Sequence, residues 1–157
     1  MLVAYEQLVD IPYPHVAMRL ERLFPALDTM ASGAFSNERL AEVRLGPGAG
    51  QPKLAKQVQL RWSVPIVDDD RWMVSLAWSA TGTAAIFPRM EADLSAIARE
   101  SEQTLIRFRG NYEPPLGPIG DALDRVGFHH VAEGTVENFI TRVVEHLERL
   151  QRLPDQA

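Results

Sequence analysis

TLIRFRGNYEPPLGPIGDALDRV, residues 104–126, contains the change of periodicity on which the fold turns. Up to Tyr112 the residues alternate. Ile106, Phe108 and Tyr112 share one face and Arg107, Arg109 and Asn111 the other, which is the pattern of a half-buried strand. Pro114-Pro115-Leu116-Gly117-Pro118 then ends the strand, because proline offers no N–H to a ladder. Beyond it Ile119, Leu123 and Val126 recur at helical spacing and resume as Val136, Ile140, Val143, Leu147 and Leu150. The chain is therefore expected to close with one helix of roughly thirty residues. The middle of that helix, Gly127, His129, His130, Glu133 and Gly134, is small or polar where a fully packed helix would carry Leu, so the helix bends there or leaves space.

The residues before 104 read mainly as strands. Met90, Ala92, Leu94 and Ala96 alternate with Arg89, Glu91, Asp93 and Ser95; Trp72, Val74, Leu76 and Trp78 alternate with smaller or polar neighbours; Val58, Leu60, Trp62 and Val64 alternate with Gln57, Gln59, Arg61 and Ser63. A further strand is expected near 38–45 and another over 2–9. Between these two, Val16, Leu20, Leu23 and Phe24 mark a short amphipathic helix over 14–24, closed by Pro25. Residues 25–37 read as irregular or weakly helical. Pro65–Asp70 and Glu100-Ser101-Glu102 read as turns, and Arg107 and Arg109 are expected to face Glu91 and Asp93 across an antiparallel pair.

This order specifies an α+β fold: a curved antiparallel sheet of six or seven strands wrapped around a long C-terminal helix, with short helical segments between strands 1 and 2. Residues 1–157 form a single domain. One helix cannot fill the concave side of a curved sheet, so an apolar pocket between the layers is expected.

Composition narrows the function. The chain has no cysteine, which excludes thiolate catalysis, disulfides and Cys-ligated metals and fits a cytoplasmic location. A net charge of −5, with Lys and Arg scattered, argues against nucleic acid as a partner. No run approaches the ~20 apolar residues of a membrane helix, so no membrane insertion is expected. Gly46-Pro47-Gly48-Ala49-Gly50 lacks the Gly-Lys-Ser/Thr of a phosphate loop and reads as a hairpin. Asp68-Asp69-Asp70 lacks the glycine and later Glu of a calcium loop and reads as a solvated tip. No Gly-x-Ser-x-Gly occurs, so serine hydrolysis is not expected.

Trp62, Trp72, Trp78, Met90, Phe108 and Tyr112 are the candidate pocket lining, suited to stacking on a flat or elongated apolar ligand. Tyr112 and His129 or His130 would be its polar anchors. His129, His130 and Glu133 are close enough on a helix to share a proton, although adjacent histidines point about a hundred degrees apart and at most one looks squarely into the sheet. A metal needs three converging ligands, and His15 and His146 lie on other segments; no metal or cofactor is expected.

The run Tyr112-Glu113-Pro114-Pro115-Leu116-Gly117-Pro118-Ile119-Gly120, followed by Ala122-Leu123-Asp124-Arg125-Val126, is similar to a segment of many bacterial START-like helix-grip (SRPBCC) proteins. That superfamily includes polyketide cyclases/dehydrases, lipid-transfer domains and pollen-allergen-type binding proteins, and the resemblance extends over most of the chain. It implies binding of a small hydrophobic molecule such as a lipid, polyketide or aromatic metabolite. A second implication is a cofactor-independent cyclase, aromatase or dehydratase using the same cavity, with Tyr112, His129 and His130 as candidate catalytic groups. A collapsed cavity would leave a protein-interaction module instead.

Overall fold

The computed structural model describes residues 2–27, 29–31, 58–80, 89–100, 102–113 and 125–152, with the backbone alone for 58–60, 78–80, 125–132 and 151–152. Strand β1 (Leu2–Val9) leads into helix α1 (Tyr13–Leu23), with Pro14 in the first turn, where a missing N–H costs no helical bond. Val16, Ala17, Leu20 and Leu23 form its buried stripe. A 3-10 turn (Phe24–Ala26) follows the helix. The remaining elements are β2 (Val58–Trp62), β3 (Ile66–Val67), β4 (Arg71–Ala80), β5 (Arg89–Ala98), β6 (Thr104–Glu113) and α2 (Arg125–Arg152).

The strands form one antiparallel six-stranded sheet in the order β1-β6-β5-β4-β2, with β3 also paired to β4. Cross-strand register stacks the inward residues in rows. Trp72, Ala96 and Ile106 share one; Val74, Leu94 and Phe108 the next; Leu76, Ala92, Gly110 and Val3 a third, with Trp62 opposite Leu76. Met90 and Tyr112 lie in the fourth, with the backbone of Trp78 opposite Met90. Gly110 is required where it stands. A Cβ there would come within 2.7 Å of Ala92 Cβ and 3.1 Å of the Glu91 carbonyl oxygen, closer than the paired backbones allow.

Helix α2 crosses this face, burying Val136, Phe139, Ile140, Val143, Val144 and Leu147 in a core shared with α1. Each such side chain contributes roughly 1.5–3 kcal/mol by leaving water. Arg19 of α1 donates from Nη1 to the Leu147 carbonyl at 3.0 Å, tying the two helices together. At the other end of α1, the Tyr13 hydroxyl donates to the Asp68 carbonyl at 2.7 Å, securing the β3–β4 turn. Burial, and then the charges of Asp68, Asp70 and Asp69, push the Tyr13 phenol pKa up.

Three sequence expectations need correction. Residues 65–70 are not all turn, because Ile66 and Val67 pair with Met73 and Trp72 as a short strand. Val64 does not continue the inward face of its strand; it follows the end of β2 and is 84% exposed. Arg107 lies opposite Ser95 and forms an ion pair with Glu6 of β1 (Nε to Oε1, 2.6 Å), leaving only Arg109 facing Asp93. The expected strand near 38–45, the Gly46–Gly50 loop and the segment 114–124 lie outside the described residues.

Candidate functional site

The inward rows divide the candidate lining into two groups. Trp72 belongs to the row of Ile106, while Tyr112 ends the same strand six residues further on, roughly 20 Å away at ~3.3 Å per residue. Trp72 is fully buried against the α1 end of the core, and among the described residues its Nε1 finds no hydrogen-bond partner. Met90 and Tyr112, by contrast, are paired neighbours at the opposite end of the sheet. Trp78 adjoins them by register; its side chain is outside the described set.

Between the two ends stands Phe139. Its ring centroid is 6.4 Å from that of Trp62 and 6.3 Å from that of Phe108, the latter in an edge-to-face arrangement. Trp62 in turn meets Phe24 edge to face at 6.1 Å. Four elements thus contribute rings to one aromatic crossbar, a geometry that adds to the energy of area burial. Trp62 and Phe108 belong to this bar. Phe139 was not among the sequence candidates, although its place between Val136 and Ile140 in the helical stripe carries the signal.

Beyond the bar, on the Met90–Tyr112 side, the described inward groups of the sheet are apolar or neutral. Tyr112 is 2% exposed, and burial alone pushes its phenol pKa up to about 12. The hydroxyl therefore stays protonated near neutral pH. It can donate a hydrogen bond and accept one, but it cannot begin a reaction as a phenolate base. Thr135, on the turn of α2 preceding the bar, is also buried. The helix backbone is continuous through His129 and His130, whose side chains lie outside the described set, and Glu133 is exposed.

The opposite face of the sheet is chemically different. An open groove of about 640 Å³ there is lined by Arg61, Ser75, Glu91, Asp93 and Arg109. The Ser75 hydroxyl donates to Asp93 Oδ1 at 2.6 Å, and the Ser75 amide donates to Ser63 Oγ at 3.0 Å, so Ser75 is bonded within the sheet on both sides. No described helix is long and apolar enough to cross a membrane.

Comparison with solved structures places this architecture. A conserved protein from Geobacillus kaustophilus superimposes with a TM-score of 0.54 at 11% identity, covering 95% of this chain and 96% of the other. The Zhui aromatase/cyclase from Streptomyces sp. R1128 gives 0.51 at 13% identity, over 100% of this chain and 99% of its own. The chain has a helix-grip fold. A hypothetical protein of Helicobacter pylori is similar at a TM-score of 0.51 and 9% identity, over 91% and 88% of the two chains. No protein-family model and no curated protein sequence matches the chain.

Proposed function

We propose that the protein binds a small hydrophobic molecule between the sheet and α2, at the end marked by Met90 and Tyr112. The observation that carries this reading is a buried phenol set among inward apolar side chains, on the far side of an aromatic bar that already completes the core around α1. The ligand would rest against Met90 and the crossbar, hydrogen-bond to Tyr112, and meet the α2 turns that bear His129 and His130. A cavity of at least ~300 Å³ is expected there, the lower end of ordinary ligand pockets.

The likeness in fold to an aromatase/cyclase supports a second reading, in which the bound molecule is also cyclised or dehydrated. In that case Tyr112 acts as a hydrogen-bond donor or acid, and any base must come from elsewhere. Because a phenol held at about 12 suits anchoring as well as acid chemistry, binding without turnover is the simpler assignment.

Native mass spectrometry of freshly purified protein, followed by thermal shift with apolar aromatics and lipids, tests the proposal. A co-purifying small molecule, or a ligand-dependent rise in Tm, is the expected result, since only the folded state presents the site. Unliganded protein with no shift, together with a crystal structure in which residues 119–140 pack continuously on the strands, would overturn it.

A further inference from the structure

The outer face of the sheet carries its charges in an ordered row. Arg61 of β2 lies opposite Ala77 of β4, and Ala77 lies opposite Glu91 of β5. Their neighbours Trp62, Leu76 and Ala92 belong to the inner face, so Arg61, Ala77 and Glu91 project outward, with Arg61 and Glu91 exposed. A cation and an anion thus stand on either side of a methyl group, each one strand spacing, ~4.8 Å, from β4. In the next row Ser63 and Asp93 flank Ser75 in the same order, a hydroxyl on the β2 side and a carboxylate on the β5 side. The short side chains of β4 floor the open groove of about 640 Å³, whose lining consists of described residues throughout. Among the described residues, neither Arg61 nor Glu91 forms an ion pair.

We propose that this face is a self-association surface on which a second copy of the chain lays its own β4 over the first. A two-fold axis running along β4 exchanges the β2 side with the β5 side and leaves each residue at its own level on the strands. Arg61 of each copy is thereby set over Glu91 of the other, so one contact forms two equivalent charge pairs. The same operation sets Ser63 over Asp93. Packed sheets stand about 10 Å apart, a gap that an Arg and a Glu span together and that Ala77 and Ser75, meeting their counterparts on the axis, leave open. Other axes fail on charge. One perpendicular to the strands lays β5 on β5 and sets the carboxylates of Glu91 and Asp93 against each other; one between β4 and β5 lays Arg61 on β6 beside Arg109. The pairs lie in an open groove and remain hydrated, so the dimer is weak and sensitive to salt.

Sedimentation velocity on the full chain, from micromolar to millimolar concentration, tests this. A dimer is expected to form with rising concentration and to weaken at least about threefold when salt is raised from about 0.05 to 0.5 M. Arg61→Glu and Glu91→Arg should each weaken association at least about tenfold, because either change opposes like charges twice across the axis. The double variant Arg61→Glu/Glu91→Arg restores the opposition of unlike charges and should return to within about threefold of wild type. Ala77→Tyr, a residue that strands accept, should abolish the dimer by filling the axis. Far-ultraviolet circular dichroism confirms that each variant is folded. A monomer at every concentration, a dimer indifferent to the single reversals or to Ala77→Tyr, or a double variant as weak as the singles overturns the proposal.

Discussion

Thr104 and Tyr112 occupy the two ends of one strand and one face, and both bury a hydroxyl, yet the two are used differently. Thr104 is fully buried and donates to the Ile11 carbonyl in the link between β1 and α1, so its polarity fastens one piece of backbone to another. Tyr112 presents a much larger side chain to an apolar surround whose main electrostatic effect is desolvation, strong enough to hold its pKa near 12. The first hydroxyl completes the core. The second supplies a polar point at the end that remains after the aromatic bar has closed the rest, where the proposed apolar ligand would gain its specificity.

The comparison breaks most readily at the bar itself. Phe139→Ala should cost about 3–5 kcal/mol in urea unfolding, because it removes the ring that meets both Trp62 and Phe108. A loss below about 1 kcal/mol would mean that the two ends are not separated by a packed layer.

Alkali gives the next largest effect. A pKa raised from 10 to about 12 means that the folded state favours the protonated phenol; this stabilisation is complete below the unfolded value and disappears as pH rises through about 12. Wild type should accordingly lose about 2–3 kcal/mol relative to Tyr112→Phe between these limits. Parallel stability curves for the two proteins would show that the environment of Tyr112 has been misread. The raised Tyr13 pKa acts in the same direction in both and cancels.

Thr104→Val should have the smallest effect, about 1–2 kcal/mol, since it leaves the Ile11 carbonyl without its donor. Ligand affinity should be unchanged. Weaker binding in this variant would show that the strand transmits information between its ends and that the hydroxyls are not independent.

The alternation over 72–78, 90–96 and 106–112 was legible in the sequence because inward and outward positions differ sharply in polarity, and it specified the inner face of β4, β5 and β6. The helical stripe likewise identified Val136, Ile140, Val143 and Leu147 as core. Pairing across strands was harder to read. Arg107 could face any acid one strand away, and only the register with β1 reveals Glu6 as its partner. Strand β3 escaped notice because two residues have no period, and Pro65 and the three aspartates around it suggest a turn. For the site, composition marked the aromatic residues as one set. It could not indicate that Trp72 and Tyr112 stand three rows apart, because distance along a sheet follows from register rather than from residue type.

Glu6 and Arg107 are joined although they stand 101 positions apart in the chain, and the whole of β1 pairs with β6. On a ribosome adding about 5–20 residues per second, the first strand must wait on the order of 5–20 seconds for its partner to be made. During that interval its apolar residues, including the inward Val3 and Val9, have no β6 to pair against. Closing such long loops is also a general cause of slow folding. The pairing edge of β1 is therefore completed only after the segment containing Tyr112 has emerged, which places the joining of β1 and β6 late in the assembly of the sheet.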